Sequence, residues 1–178
     1  GMSDIVWRHD SGFVQIWDMD GATLLGANSV GAVPAAWSIA GTGDFNGDGK
    51  ADLLWRHDSG VAQIWDMDNG AIVDTHSLGL IPTAWTLEDT GDFNGDGKTD
   101  LLWRHDSGFA QIWDMNDGAI IATHSLGVIP AAWNLAGTGD FNGDSTTDLL
   151  WRNDSGLVQM WDINDGAIAN THALGVIP

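Results

Sequence analysis

Apolar residues in this chain come in short runs bounded by glycine, proline and small polar residues, and the runs recur on a fixed beat. One stretch shows the grammar. Asp52-Leu-Leu-Trp-Arg-His57 is a short run with large side chains, and Asp58-Ser59-Gly60 follows it as a hairpin-type turn. Residues 61–67 read as the next strand, closed by Asp68-Asn69-Gly70, and residues 71–78 as a third, closed by Gly79 and Pro82. A fourth begins at Ala84 and Trp85 and leads into Asp92-Phe-Asn-Gly-Asp-Gly97. No segment sustains a 3.6-residue apolar period, and none runs free of turn residues long enough for a helix.

The beat is 48 residues. Trp7, Trp55, Trp103 and Trp151 keep that spacing, as do Trp17, Trp65, Trp113 and Trp161, and again Trp37, Trp85 and Trp133; together they are all 11 tryptophans. Residues 52–99 and 100–147 align without a gap and are identical at 36 of 48 positions. A period of this size signals a solenoid, propeller or array. Four short strands per period select an all-β propeller of four-stranded antiparallel blades, since a β-helix repeats faster and helical repeats are excluded. The expected blades are 35–80, 83–128 and 131–176, with a partial blade of three strands over 4–32. Bulky residues at equivalent positions then fill the blade interfaces, so most tryptophans are expected in the core. Any exposed one would be open as a platform for sugars. No tail supplies the missing inner strand. Three outcomes fit: a strained four-bladed ring, an arc of a longer protein, or a homodimer completing a ring of about eight blades, which the two Trp-rich end faces favour.

Charge sharpens the picture. The formal net charge is −19, from 24 Asp and one Glu against four Arg and two Lys. Nucleic acid is excluded as a partner by this excess and by the lack of a basic patch, and no apolar run is long enough for membrane insertion. There is no Cys, so redox compartment goes unmarked. Gly1-Met2 reads as a remnant of cloning, and no signal peptide is visible.

Much of the acid is concentrated in three nine-residue loops at 44–52, 92–100 and 140–148. Their side-chain oxygens fall at loop positions 1, 3, 5 and 9. These are Asp44, Asn46, Asp48 and Asp52; Asp92, Asn94, Asp96 and Asp100; and Asp140, Asn142, Asp144 and Asp148. Position 7, held by Lys50, Lys98 and Thr146, would add its backbone carbonyl, with the Lys ammonium pointing outward. Calcium needs six to eight hard oxygen ligands at flexible angles, and this spacing can wrap them around a point. Position 12 is Trp55, Trp103 or Trp151, where an EF-hand needs Glu, so that rival fails. Asp, Asn and Gly also make plain turns, but three Asp in nine residues repel without a cation. Magnesium demands tighter octahedral geometry than these loops suggest.

The pattern Asp-x-Asn-x-Asp-Gly-x-x-Asp followed by Leu-Leu-Trp resembles the FG-GAP/VCBS repeat, known from integrin α-chain propellers and bacterial surface and secreted proteins. Residues 41–52 are especially like the bacterial repeats. The resemblance implies that each calcium loop joins the inner strand of a blade to its second strand, and that the protein is extracellular or cell-surface. It carries the same ligands to the three loops, about three Ca2+ per chain. Two departures matter. Ser145 replaces the glycine of loop position 6, so the third site should need a strained backbone or a shifted turn and bind more weakly. Asp4 is all that remains of a zeroth loop, which should hold no ion.

Other motifs have plainer readings. His-Asp-Ser at 9–11, 57–59 and 105–107 suggests a hydrolytic triad, but adjacent turn residues are not expected to face one another, and the fourth copy has Asn153. Trp-Asp pairs at 17–18, 65–66, 113–114 and 161–162 lack the Gly-His of tryptophan–aspartate propellers. Arg8, Arg56, Arg104 and Arg152 are expected to pair with blade acids such as Asp18 or Asp66. His76, His124 and His172 are expected on the surface. The functional expectation is a non-catalytic, calcium-stabilised module for binding or adhesion to a protein or glycan. A lectin with inter-blade sugar sites and the propeller part of a larger secreted enzyme are the alternatives; near-identical repeats argue against catalysis, which needs an asymmetric site.

Overall fold

The computed structural model describes residues 4–177. The described residues form fifteen strands in four sheets and no helix. The first sheet has three strands, β1 (Ile5–Arg8), β2 (Phe13–Asp20) and β3 (Thr23–Ala32). The second holds β4 (Trp37–Gly43), β5 (Asp52–His57), β6 (Val61–Asp68) and β7 (Ala71–Leu80). The third holds β8 (Trp85–Gly91), β9 (Asp100–His105), β10 (Phe109–Asn116) and β11 (Ala119–Val128). The fourth holds β12 (Trp133–Gly139), β13 (Asp148–Asn153), β14 (Leu157–Asn164) and β15 (Ala167–Val176). Every sheet is an antiparallel meander in chain order, the build of a propeller blade.

The hairpin turns form where the sequence places them. Gly60 adopts φ 93°, and a Cβ there would lie 2.2 Å from the Ile81 carbonyl oxygen, which only glycine tolerates. The third strand is longer than its turn residues suggest. Ser77 pairs with Gln63 and Gly79 with Ala62, so Leu78 is the extra residue of a bulge and β7 continues to Leu80. Gly79 therefore lies inside the strand instead of ending it.

Successive sheets stack face to face, and each junction is centred on one tryptophan from the following blade. Trp55 packs on Val14, Ile16 and Val33 of the first blade. Trp103 packs with Phe45, Leu54, Ile64 and Ile81 of the second, and Trp151 with Phe93, Leu102 and Ile112 of the third. All three are 0% exposed. Burying an indole of roughly 200 Å² at about 25 cal/mol/Å² contributes at most about 5 kcal/mol per junction. The core expectation holds for these three. Trp37, Trp65, Trp85, Trp113, Trp133 and Trp161 are partly buried against the same clusters, whereas Trp7, with no described blade before it, is 49% exposed. Among the described residues the first and fourth sheets do not touch, so the blades form an open arc.

The arginines correct an expectation. They do not pair with Asp18 or Asp66 but clamp main-chain carbonyls across the junction. Arg56 donates to the carbonyls of Ile81 (3.3 Å), Pro82 (3.1 Å) and Trp85 (2.9 Å), and its guanidinium lies over the Trp103 ring, 4.9 Å from the centroid. Arg104 repeats this with Ile129, Pro130 and Trp133, over Trp151 at 5.7 Å. Arg8 reaches Val33 and Pro34, 5.9 Å from the Trp55 ring. The cause is register. Arg56 stands opposite Ala62, and Asp66 lies four residues further along β6, about 13 Å away.

Candidate metal centres

The three acidic loops join β4 to β5, β8 to β9 and β12 to β13, between the first and second strands of their blades. Each is organised by its first carboxylate. Asp44 Oδ1 accepts the main-chain N–H groups of Gly47 and Asp48, and its Oδ2 that of Gly49. Asn46 Oδ1 accepts Asp48 N–H and Asp48 Oδ1 accepts Lys50 N–H. Asp92, Asn94 and Asp96 repeat all five bonds. These local bonds hold the side-chain oxygens of positions 1, 3 and 5 on main-chain donors, and the carboxylates of positions 1, 5 and 9 do not gather within 4.8 Å of one another in any of the three loops. Neighbouring loops are also tied together: Thr99 N–H donates to the Asp44 carbonyl at 2.7 Å, and Thr147 N–H to that of Asp92 at 2.6 Å.

Position 9 differs in kind. Asp52, Asp100 and Asp148 are 0% exposed, and each uses both oxygens on main-chain donors. Asp52 Oδ2 takes Phe45 N–H at 3.0 Å and Oδ1 takes Met67 N–H at 2.9 Å, which ties the loop to β6. Desolvation raises Asp52 to about 6 and Asp100 to about 7, against the opposing pull of those donors. Asp4 plays half this part, accepting Met19 N–H at 2.9 Å; Gly1–Ser3 lie outside the described residues.

The lysines of position 7 do not simply point outward. Lys50 Nζ lies 3.4 Å from Asp48 Oδ2 and 3.0 Å from Asp68, and Lys98 Nζ is 3.4 Å from Asp96. The flexible stem folds the ammonium back onto the nearest carboxylate. In the third loop the turn is kept rather than shifted. Ser145 takes φ 72°, close to the 82° and 83° of Gly49 and Gly97, and its N–H still reaches Asp140 Oδ2 at 3.0 Å. The Thr146 hydroxyl bridges Asp144 Oδ1 and the Ile163 carbonyl, engaging a position-5 oxygen that is free of side-chain donors in the other two loops.

Histidine placement is a second correction. His172 is exposed as expected, whereas His76 and His124 are partly buried, and in all three each Nε2 meets Oδ2 of a buried aspartate on the adjacent strand, Asp66 at 2.9 Å, Asp114 at 2.8 Å and Asp162 at 2.8 Å. Desolvation lowers the pKa of His76, but the hydrogen bond and charge of Asp66, with Asp74 and Asp117, outweigh it and leave the ring above its ordinary value. Sequence reading missed this pairing because it depends on the β6–β7 register, where His76 stands opposite Ile64, two residues from Asp66. The ten-residue spacing between Asp66 and His76, kept at 114/124 and 162/172, was the available signal.

The His-Asp-Ser turns also depart from expectation, since histidine and serine do face one another. Ser59 N–H and its hydroxyl both meet His57 Nδ1, at 3.0 and 2.8 Å. Asp58 takes no part. In the fourth blade Asn153 Oδ1 accepts the same two bonds from Ser155, so the ring is a turn-closing acceptor that an amide replaces. Beside the third copy lies a cleft of about 270 Å³ lined by Thr86, Glu88, Arg104, His105 and Ser107. Burial raises Glu88 there, opposed by Arg104.

Comparison with protein-family models matches the FG-GAP-like repeat twice, over residues 44–103 and 92–151. No curated protein matches the chain.

Proposed function

Because the chain belongs to the FG-GAP-like repeat family, whose two matches span residues 44–151, we propose that it is a calcium-stabilised, non-catalytic propeller module that binds a protein or glycan partner. The observation that supports the calcium reading is the repeated loop: two loops carry side-chain oxygens at positions 1, 3 and 5 held on the same ladder of main-chain bonds. Oxygen-only donors and an uncompensated charge of −19 suit a hard divalent cation at extracellular concentrations. Three ions would bring the formal charge from −19 to −13. The role is structural, since each ion would brace a strand connection, and at 100-fold saturation one site stabilises the fold by about 2.7 kcal/mol. An extracellular or cell-surface setting follows from the same reading. Calorimetric titration is expected to find two comparable calcium sites and a weaker third at 140–148; fewer than two sites per chain would overturn the proposal. A glycan array run with and without chelator separates a lectin from a protein-binding scaffold.

A second reading concerns self-association. The face ending in Trp7 and the face ending in Phe141 are the two halves of the junction that the chain builds twice internally, as Phe45 with Trp103 and Phe93 with Trp151, and Trp7 and Phe141 are 49% and 46% exposed. A homodimer joining them head to tail would form a ring of about eight blades. Sedimentation velocity is expected to show a dimer, and a monomer throughout the micromolar range overturns it.

A further inference from the structure

The corner between the second and third blades gathers side chains from both. Asp66 on β6 and His76 on β7 belong to the second blade, and Asp117 sits in the β10–β11 turn of the third. One ligand atom from each lies within 4.8 Å of the other two. The arrangement carries an unanswered group. Asp66 is 4% exposed; its Oδ2 meets His76, but its Oδ1 is buried with no partner. Such an oxygen costs stability unless a donor or a cation reaches it.

The first blade shows what an ordinary solution looks like. There Asn28 occupies the histidine position, and its amide donates to both oxygens of Asp18, at 3.1 and 2.9 Å. The facing residue from the next blade is Asn69, not an acid. From that blade to the second, Asn becomes His at one position and Asn becomes Asp at the other. The exchange removes a donor and adds an imidazole and a carboxylate. Asp74, opposite Asp66 in the β6–β7 register, adds further negative charge.

We infer that Asp66, His76 and Asp117 form a binding site for a divalent d-block cation of the zinc class, which pins the second blade to the third. The donor set decides the class: one imidazole nitrogen with two carboxylate oxygens suits Zn2+, Co2+ or Ni2+, whereas calcium takes oxygens alone. Three protein ligands leave a fourth position for water. Tetrahedral bonds of about 2.0–2.1 Å set donors roughly 3.3 Å apart. The 2.9 Å contact between His76 and Asp66 therefore opens by a few tenths of an ångström, and the cation takes the place of the proton they share. None of these residues belongs to the nine-residue loops. The third blade repeats the residue types as Asp114 and His124 with Asp165 of the fourth, and Asp114 Oδ1 is likewise buried without a partner, but among the described residues only Asp66, His76 and Asp117 bring their ligand atoms within 4.8 Å of one another, and Ala122 stands where Asp74 adds charge. At the fourth blade Asp162 and His172 lack a described following blade to supply a third ligand.

The test uses the untagged chain in saturating calcium, titrated with Co2+ and followed by its visible ligand-field bands, with Zn2+ calorimetry alongside. The parent chain is expected to bind one equivalent of Co2+, and His76→Asn none. Asparagine already fills this position in the first blade, so this variant keeps the fold, which circular dichroism checks. Failure of the parent chain to bind Co2+ up to millimolar concentration, or an unchanged stoichiometry in His76→Asn, overturns the site. Calcium titration of His76→Asn is expected to match the parent, so failure here is separable from failure of the loop reading.

Discussion

The inner junctions and the two end faces of the arc carry equivalent bulky residues, but at the ends these residues have no described neighbouring blade, and the first sheet also has one strand fewer. Trp103 is 0% exposed and its equivalent Trp7 49%; Phe93 is 0% exposed and its equivalent Phe141 46%. Arg104 clamps two carbonyls of the connection to the next blade and one of its first strand, over Trp151, while Arg152 is exposed with no such partner among the described residues. A blade alone therefore lacks the burial of its largest apolar side chains. The junctions add a nearest-neighbour term to the stability of each blade.

Breaking a junction core gives the largest expected difference. Trp103→Ala is expected to cost about 3–5 kcal/mol in urea unfolding, and Trp7→Ala less than about 1 kcal/mol, because only the first leaves a cavity. Equal losses would place the stability within blades instead. Next comes pH. The buried carboxyls Asp100 and Asp52 hold their protons up to about 7 and about 6, whereas an unfolded Asp ionises near 3.9. Between these values the folded state binds more protons, so without calcium the melting temperature should fall as pH rises from about 4 to about 7. Asp100→Asn lowers overall stability by losing an acceptor, yet should flatten the upper part of that profile; an unchanged slope contradicts the assignment.

The arginine clamp supplies a smaller contrast. Arg104→Lys is expected to cost about 1–2 kcal/mol by losing forked donors and ring stacking, and Arg152→Lys close to nothing. The two melting curves, compared with that of the parent, decide it. Smallest is the fourth-blade loop. Ser145→Gly removes the strain of φ 72° and should add about 0.5–1 kcal/mol, while Gly97→Ser in the third blade should subtract a similar amount.

Much of this architecture was legible in the chain. Trp spacing gave the period, and turn residues such as Asp58-Ser59-Gly60 gave the strand ends, because both depend on local conformation. What stayed hidden depends on distances between strands or blades. Arg56 and Asp66 carry opposite charges in one repeat, but the pleat holds them about 13 Å apart. His76 looked like an outer-strand surface residue because its partner is two positions off in the cross-strand register. Asp52 looked like one more loop oxygen; that it is buried and doubly hydrogen-bonded follows from where β6 passes. In the loops the sequence showed which oxygens are available but not that Lys50 folds back over one of them.

The turn glycines at the rim carry one more consequence. A Cβ on Gly118 would stand 2.1 Å from the His76 ring of the preceding blade, and one on Gly166 would stand 2.4 Å from His124. The outer edges of adjacent sheets thus close to within the width of a missing methyl group. In a radial assembly the gap at the rim, relative to that at the hub, fixes the wedge angle each blade subtends. A side chain at Gly118 would widen that wedge, and a full circle would then hold fewer blades. One hydrogen atom in place of a carbon works here as the gauge of the circle.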